Sequence, residues 1–333
     1  MSYLVIRLRP TGPWRIGSDS GDRDRVDRMY HSDSLYSAVT GAMARLGMLE
    51  EWLEATARTP EPAVCFSSCF PFNGETMYVP PPRNLWPPPA SSKVRWKAAR
   101  FVPLHTIESL VSGKAISEEG LAVDGASEAL IAMGTQGPFR VSVRSSAAVD
   151  RGGAGVAPHS TACLEFAPNA GFWTAVAFAN EAAREAWKAR VTGALRLLGD
   201  SGFGGERSRG WGRAEIEIIE RESGLLSSAD TPGETGWWLL SLFHPGQDDS
   251  IDWARGNYSV IARGGRVESH AGWGELKRNT RMIAEGSVLV AAREPRGSAT
   301  DVAPEGFPHP VYRSGFAFWI PVPLNVEPVR SAA

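Results

Sequence analysis

The order of its elements predicts an α+β chain. It reads as tandem ferredoxin-like (RRM-like) domains, the first with a long insertion and a long hairpin, the second reduced and strand-rich. Three observations carry this reading. Apolar residues alternate in Tyr3–Arg9 and again in 214–220, the pattern of half-buried strands. Two stretches, 31–47 and 181–199, place apolar residues at helical spacing. A loop dense in glycine and arginine, "GDSGFGGERSRGWGR", joins the second helix to the last of those strands. The 35 glycines and 24 prolines fit many loops and short strands better than long helices.

Taken in order, Leu4, Ile6 and Leu8 share one face of the first strand. Residues 15–28, "RIGSDSGDRDRVDR", alternate in charge and are expected to form a mobile loop. In the first helix Leu35, Val39, Ala42, Met43 and Leu46 form the buried stripe, with Ser32 or Asp33 as the cap. "AVCFSSCF" (63–70) reads as a second strand. Residues 71–105 are proline-rich and read as an extended connector with exposed aromatics. Within it Trp86 is the first candidate for a subunit interface. Residues 139–166 read as a long hairpin around a glycine-rich tip, and 172–178 as a third strand. Ala183, Trp187, Val191, Leu195 and Leu198 line the second helix, which Gly199 suits as a C-terminal cap.

The order β-α-β-(insertion)-β-α-loop-β sets the organisation. The first domain spans 1–222, with its insertion at 71–170 and the glycine-rich loop at 199–213. A linker covers 223–236. The second domain spans 237–333, with Gly264–Gly265 as a hairpin turn. A fold of this kind leaves one sheet face open, and its RRM version uses that face for RNA.

Composition excludes several classes. Net charge is −2, so a nucleic-acid contact has to be local or made inside an assembly. No run approaches the roughly 20 apolar residues of a membrane span, so no membrane partner is expected. Cys65, Cys69 and Cys163 make no paired framework, which suggests reduced thiols and a cytoplasmic setting. The histidines are scattered, and Asp248, Asp249 and Asp252 lack a calcium-loop pattern, so no metal or cofactor is expected. The cluster Lys277, Arg278 and Arg281 reads equally as a solvated helix face or a phosphate contact.

The glycine-rich loop fails as a P-loop: it has no G-K-[ST] ending and it follows a helix rather than a strand. It also lacks the third glycine of a dinucleotide fingerprint, where Arg207 stands instead. What remains is a loop suited to a polyanion. Gly202, Gly204, Gly205, Gly210 and Gly212 allow close approach of backbone amides. Arg207, Arg209 and Arg213 supply guanidiniums, Ser208 a hydroxyl, and Phe203 and Trp211 stacking faces. Arg140 and Arg144 lie on one face of a strand and are read as RNA contacts. The plainer alternative is a glycine-rich turn with solvated arginines.

The stretch "GFGGERSRGWG" resembles the glycine-rich signature of the RAMP superfamily of CRISPR-associated proteins. "HSDSLYSA", "GGRVES", "EGSVL" and "HPVYRSGFAFWIPV" are similar to motifs of the guide-capping subunits of type III-A (Csm) effector complexes. The resemblance implies a non-catalytic subunit for antiviral defence that binds the crRNA at its 5′ handle. It also implies docking to the large Cas polymerase subunit and to backbone RAMP subunits, with target RNA near the thumb. On that resemblance Gly202, Gly204, Gly205, Arg207, Ser208, Arg209, Gly210 and Gly212 would cradle handle phosphates. His31 and Ser32 would contact RNA, and Asp150 and Arg151 would lie near the thumb tip. Two alternatives stand beside it. His31 could be the general acid or base of a metal-independent repeat-RNA endoribonuclease. The chain could also be a scaffold that contacts only proteins.

Overall fold

A computed structural model describes residues 3–17, 22–88, 95–150, 153, 155–221, 224–226, 234–269 and 272–325. The first unit runs β1 (Tyr3–Pro10), α1 (Ser32–Arg45), α2 (Leu49–Ala55), β2 (Val64–Phe66), β3 (Phe70–Asn73), β4 (Thr76–Val79) and β5 (Val102–Pro103). It continues with α3 (Leu104–Val111), β6 (Leu121–Val123), β7 (Leu130–Ala132), β8 (Phe139–Asp150), β9 (Gly155–Phe166), β10 (Ala170–Phe178), α4 (Glu181–Ser201) and β11 (Ala214–Arg221). The central sheet is antiparallel, in the order β11-β1-β10-β3-β4-β5, with β2 also paired to β10. The protein is thus a mixed α/β structure built on antiparallel strands.

One face of the central sheet meets the helices. There Trp52 stacks on Tyr36 at 5.6 Å and meets Trp187 edge-on at 5.4 Å. The other face is covered too. Val5 is fully buried, Tyr3 packs against Phe318 of the second unit at 5.5 Å, and Arg7 is only 4% exposed. The open sheet face expected from the sequence is therefore absent in this part of the sheet. Alternation along β1 showed a single apolar face, whereas the second unit buries the opposite one.

That second unit comprises β12 (Thr235–Leu239), β13 (Val260–Arg263), β14 (Arg266–Ser269), β15 (Gly272–Leu276), β16 (Thr280–Ile283), β17 (Val288–Leu289), β18 (Ala299–Asp301), β19 (Tyr312–Ser314) and β20 (Trp319–Pro323). Its core sheet has the order β17-β12-β20, flanked by the pairs β13-β16, β14-β15 and β18-β19. No helix occurs among its described residues.

Several local expectations are corrected. Gly199 lies inside α4, where a Cβ would stand 2.5 Å from the Ala214 carbonyl oxygen; the helix ends instead at Gly202, with φ +95°. The α1 cap residue is His31, and no side-chain cap bond forms there. Leu46 is 44% exposed rather than part of the stripe. Residues 63–70 split into β2 and the start of β3. Gly264–Gly265 make no hairpin, because β13 pairs with β16 and β14 with β15. Lys277 and Arg278 sit between β15 and β16 and Arg281 within β16, not on a helix.

The proline-rich segment is no loose connector. It contributes β3, β4 and β5 to the sheet and then straps the second unit. Trp238 Nε1 donates to the Pro80 carbonyl at 3.2 Å, the Arg83 amide to Gly286 O at 3.0 Å, and Asn84 Nδ2 to the carbonyls of Pro323 and Leu324 at 2.9 Å. Trp86 is half-buried and stacks on Trp96 at 5.5 Å. In the expected mobile loop, Arg15 and Ile16 are buried, while 18–21 lie outside the described residues. So do most of the expected linker, 223 and 227–233, and Arg151.

Candidate nucleic-acid interface

The glycine-rich loop leaves α4 at Gly202 and returns to β11, lying on the segment that follows β1. Phe203 is its anchor: buried, stacked on Trp14 at 5.2 Å and edge-on to Tyr30 at 6.1 Å. Its ring faces are taken up in the core, so the base-stacking role expected of Phe203 has no exposed surface to use. Several amides are also committed. Phe203 N–H donates to Gly212 O, Gly212 N–H to Pro13 O, and Gly205 N–H to Arg15 O, at 2.8–2.9 Å. Gly202 N–H bonds Leu198 O at 2.7 Å and Gly210 N–H bonds Arg207 O at 2.9 Å.

Sterics explain most of the glycines. A Cβ on Gly212 would stand 2.0 Å from Phe203 O, one on Gly204 2.3 Å from Arg15 O, and one on Gly202 2.5 Å from Trp211 O. All three also have positive φ, which non-glycine residues rarely adopt. Gly210 differs, with φ +80° but open space beside it. Beneath the loop the buried Arg15 guanidinium donates to the carbonyls of Asp22, Arg23 and Ala162, tying the loop's bed to β9.

The loop's polar side chains point elsewhere. Ser208, Arg209 and Arg213 are exposed, and Arg207 and Trp211 half-buried. Arg207 pairs with Glu268 of the second unit. Arg209 Nε lies 3.2 Å from Glu206, and its other nitrogens reach Ser146 Oγ at 3.5 Å and His159 Nε2 at 3.4 Å on the β8–β9 hairpin. In the hairpin register Ser146 faces His159 and Arg140 faces Glu165. Alternation therefore puts Arg140, Arg144, Ser146 and His159 on one hairpin face. Arg140 and Arg144 both bond Glu165 there. The opposite face presents exposed Val141, Val143 and Val156. The structure thus sets Arg209 against the hairpin face that also carries Arg144 and, further along, Arg140, across more than 60 residues of chain.

It does not bring His31 and Ser32 to that surface. They are 5% and 4% exposed, at the junction of the two units. His31 Nδ1 lies 2.8 Å from Glu285 and Nε2 3.1 Å from Asp27. Burial alone would lower the imidazole pKa, but the charge of Glu285 and the bonds to Asp27 and Glu285 outweigh it and raise it to about 9. Ser32 Oγ accepts from the Leu242 amide at 3.0 Å, and its own N–H donates to Ser68 Oγ at 2.8 Å. Next to them Asp33 accepts from Arg263 at 3.0 and 3.1 Å and from Arg313 at 2.6 Å. Burial opposes the Asp33 anion, yet the two guanidiniums hold its pKa well below the usual range. Sequence reasoning missed Arg263, Arg313 and Glu285, since nothing local marks them as partners of a helix start more than 200 residues away. No cluster of three or more His, Cys, Asp or Glu side chains suited to a metal occurs among the described residues. No helix there is long and apolar enough to cross a membrane.

Comparison with known proteins agrees with this architecture. Residues 233–322 match the CRISPR Csm4 C-terminal domain. The chain is 25% identical to the CRISPR system Cms protein Csm4 of Thermococcus onnurineus (strain NA1), over 98% of this chain and 97% of the relative. Among solved structures, a chain of a Csm3–Csm4 subcomplex of the type III-A CRISPR-Cas interference complex superposes with a TM-score of 0.64 at 17% identity, covering 98% of this chain and 100% of that one. A chain of a Csm1–Csm4 cassette in complex with cA4 gives 0.60 at 18% identity, covering 98% and 99%. Residues 233–322 thus match a Csm4 C-terminal domain, and the chain as a whole, with its glycine-rich loop between α4 and β11, is similar to Csm4 proteins of type III CRISPR complexes.

Proposed function

We propose that the chain is a non-catalytic RNA-binding subunit of a type III-A CRISPR interference complex, holding the 5′ handle of the guide RNA. The observation that carries this is Arg209. It is exposed, it rises from the glycine-rich loop, and it reaches the same hairpin face as Arg140 and Arg144. Guanidiniums arrayed this way match a run of phosphate oxygens. The glycines shape the loop and the arginines meet the RNA. The strand order β11-β1-β10 with β2 on β10 supports a ferredoxin-like reading of residues 1–222, with 237–333 as the second domain. Because the second unit covers much of the sheet, RNA is read on the loop and hairpin instead of the sheet face. Solved relatives pair Csm4 chains with Csm1 and with Csm3, and we extend both kinds of partner, the large subunit and a backbone subunit, to this chain. The buried position of His31 between two carboxylates supports a structural role over a nuclease role.

The test is co-purification with the other subunits and a CRISPR array, comparing wild type with Arg209→Glu. Arg207 is left intact because it also bonds Glu268 across the junction. Loss of guide RNA, or of its defined 5′ end, is the expected result. An unchanged guide with an unchanged 5′ end would make the loop a structural turn and point to a scaffold that contacts only proteins.

A further inference from the structure

Beside the glycine-rich loop a groove of about 510 Å³ opens between the end of β1 and the base of the β8–β9 hairpin. Its walls include Arg9, Pro13, Arg144, Glu165, Phe166 and Asn169. We propose that this groove is a subsite for a single nucleotide of the bound RNA, with Arg9 and Arg144 on the flanking phosphates and Phe166 as the apolar wall beside the base. The proposal rests on the RNA-binding reading above and adds a location that the glycine-rich loop does not include.

Four observations carry it. The volume falls in the range of roughly 300–1,000 Å³ typical of small-molecule pockets. The groove is continuous with the loop: a Cβ on Gly12, in its wall, would stand 3.9 Å from the Gly210 carbonyl oxygen. It also lies on the arginine face of the hairpin. Arg209 reaches Ser146, and Arg144 is the next residue on that face, roughly 7 Å along the strand. A strand of RNA leaving Arg209 therefore meets Arg144 at the groove mouth. Finally, both groove guanidiniums keep donors in reserve. Arg9 gives Nε and Nη2 to Glu217, at 3.0 and 2.7 Å, and Arg144 gives Nη2 to Glu165. Each guanidinium carries five N–H donors, so phosphate can be bonded without breaking either ion pair. Glu165, the acceptor in the wall, suits the amino and hydroxyl donors of a ribonucleotide.

The test uses the full-length chain and a fluorescein-labelled single-stranded RNA of mixed sequence carrying 4-thiouridine. Variants are Arg9→Gln, Arg144→Gln, Arg209→Glu and, on the opposite hairpin face, Val143→Ser. Arg9→Gln and Arg144→Gln are each expected to weaken binding about tenfold. Each should also lower the slope of log affinity against log salt by about 0.7. Photo-crosslinks should fall on the peptide around 165–170, and Val143→Ser should bind as wild type. If Arg209→Glu weakens binding while both glutamine variants bind as wild type without groove crosslinks, the subsite is overturned and the loop reading stands. If wild type binds no RNA, both fall. If the glutamine variants keep RNA but lose a protein subunit on co-purification, the groove is a protein site and the proposal fails.

Discussion

Asp33→Ala strips a carboxylate from between two buried guanidiniums. The Asp33 side chain is 3% exposed, Arg263 8% and Arg313 5%. With charge centres about 4 Å apart and an effective dielectric near 20, each pair attracts by about 4 kcal/mol. Desolvating three ions costs several kcal/mol apiece, so the intact triad contributes little net stability. Its removal is different, because two cations then stay buried without their anion. The expected loss is about 3–5 kcal/mol. In a chain of 333 residues that lowers Tm by roughly 4–7 °C. Scanning fluorimetry and urea midpoints on the purified chain measure it. The triple variant Asp33→Ala, Arg263→Met, Arg313→Met is expected to recover most of the loss, since apolar replacements of a buried ion cluster are tolerated. A loss below about 1 kcal/mol in the single variant, or a triple variant no more stable than the single, would refute a buried junction built on this triad.

The His31 imidazole is raised from 6.5 to about 9, so its contribution is complete below pH 6.5 and is lost as pH rises towards 9. Tm should fall across that window, and His31→Gln should flatten the fall. Asp27, Asp33 and Glu285 are depressed by their cationic partners despite burial, so their contribution holds above about pH 4 and is lost as pH falls through their lowered values. Gly212→Ala, at φ +79° and 2.0 Å from Phe203 O, should lower stability by about 3 kcal/mol or more, whereas Gly210→Ala, at φ +80° in open space, should cost about 1 kcal/mol and leave RNA retention intact. Equal effects of the two in urea titration would contradict the packing account of the loop.

Local periodicity made much of the first unit legible. α4 and its stripe of Trp187, Val191, Leu195 and Leu198, the β8–β9 hairpin and β10 all follow from spacing that neighbouring residues set. Long-range packing was not legible. Nothing near Val5 announces that Phe318 and its neighbours cover that side of the sheet, and nothing near Pro80 announces Trp238 as its donor. The same limit governs the site. Arg140 and Arg144 could be placed on one face by alternation alone, but Glu165 as their shared acceptor depends on hairpin register. His31, Ser32 and Asp33 looked like a helix start facing a ligand. Their partners arrive from the second unit, so a single polar motif carries no mark of which surface it will meet.

The glycine-rich loop shows why residue type and role have to be separated. Its glycines at 202, 204 and 212 answer to the carbonyls of Trp211, Arg15 and Phe203, and would be required with no ligand at all. Its arginines answer to nothing in the core. The Arg209 side chain is 42% exposed and bonded only to surface groups, yet the backbone beneath it fixes where it stands, beside Ser146 and His159. A loop packed this tightly loses little further entropy when it binds, which is the condition for exposed guanidiniums to convert phosphate contact into affinity. On the proposed RNA-binding role, stiff glycine packing and surface charge are two parts of one device. Perturbing Gly202, Gly204 or Gly212 should move stability and binding together, while perturbing Arg209 should move binding alone.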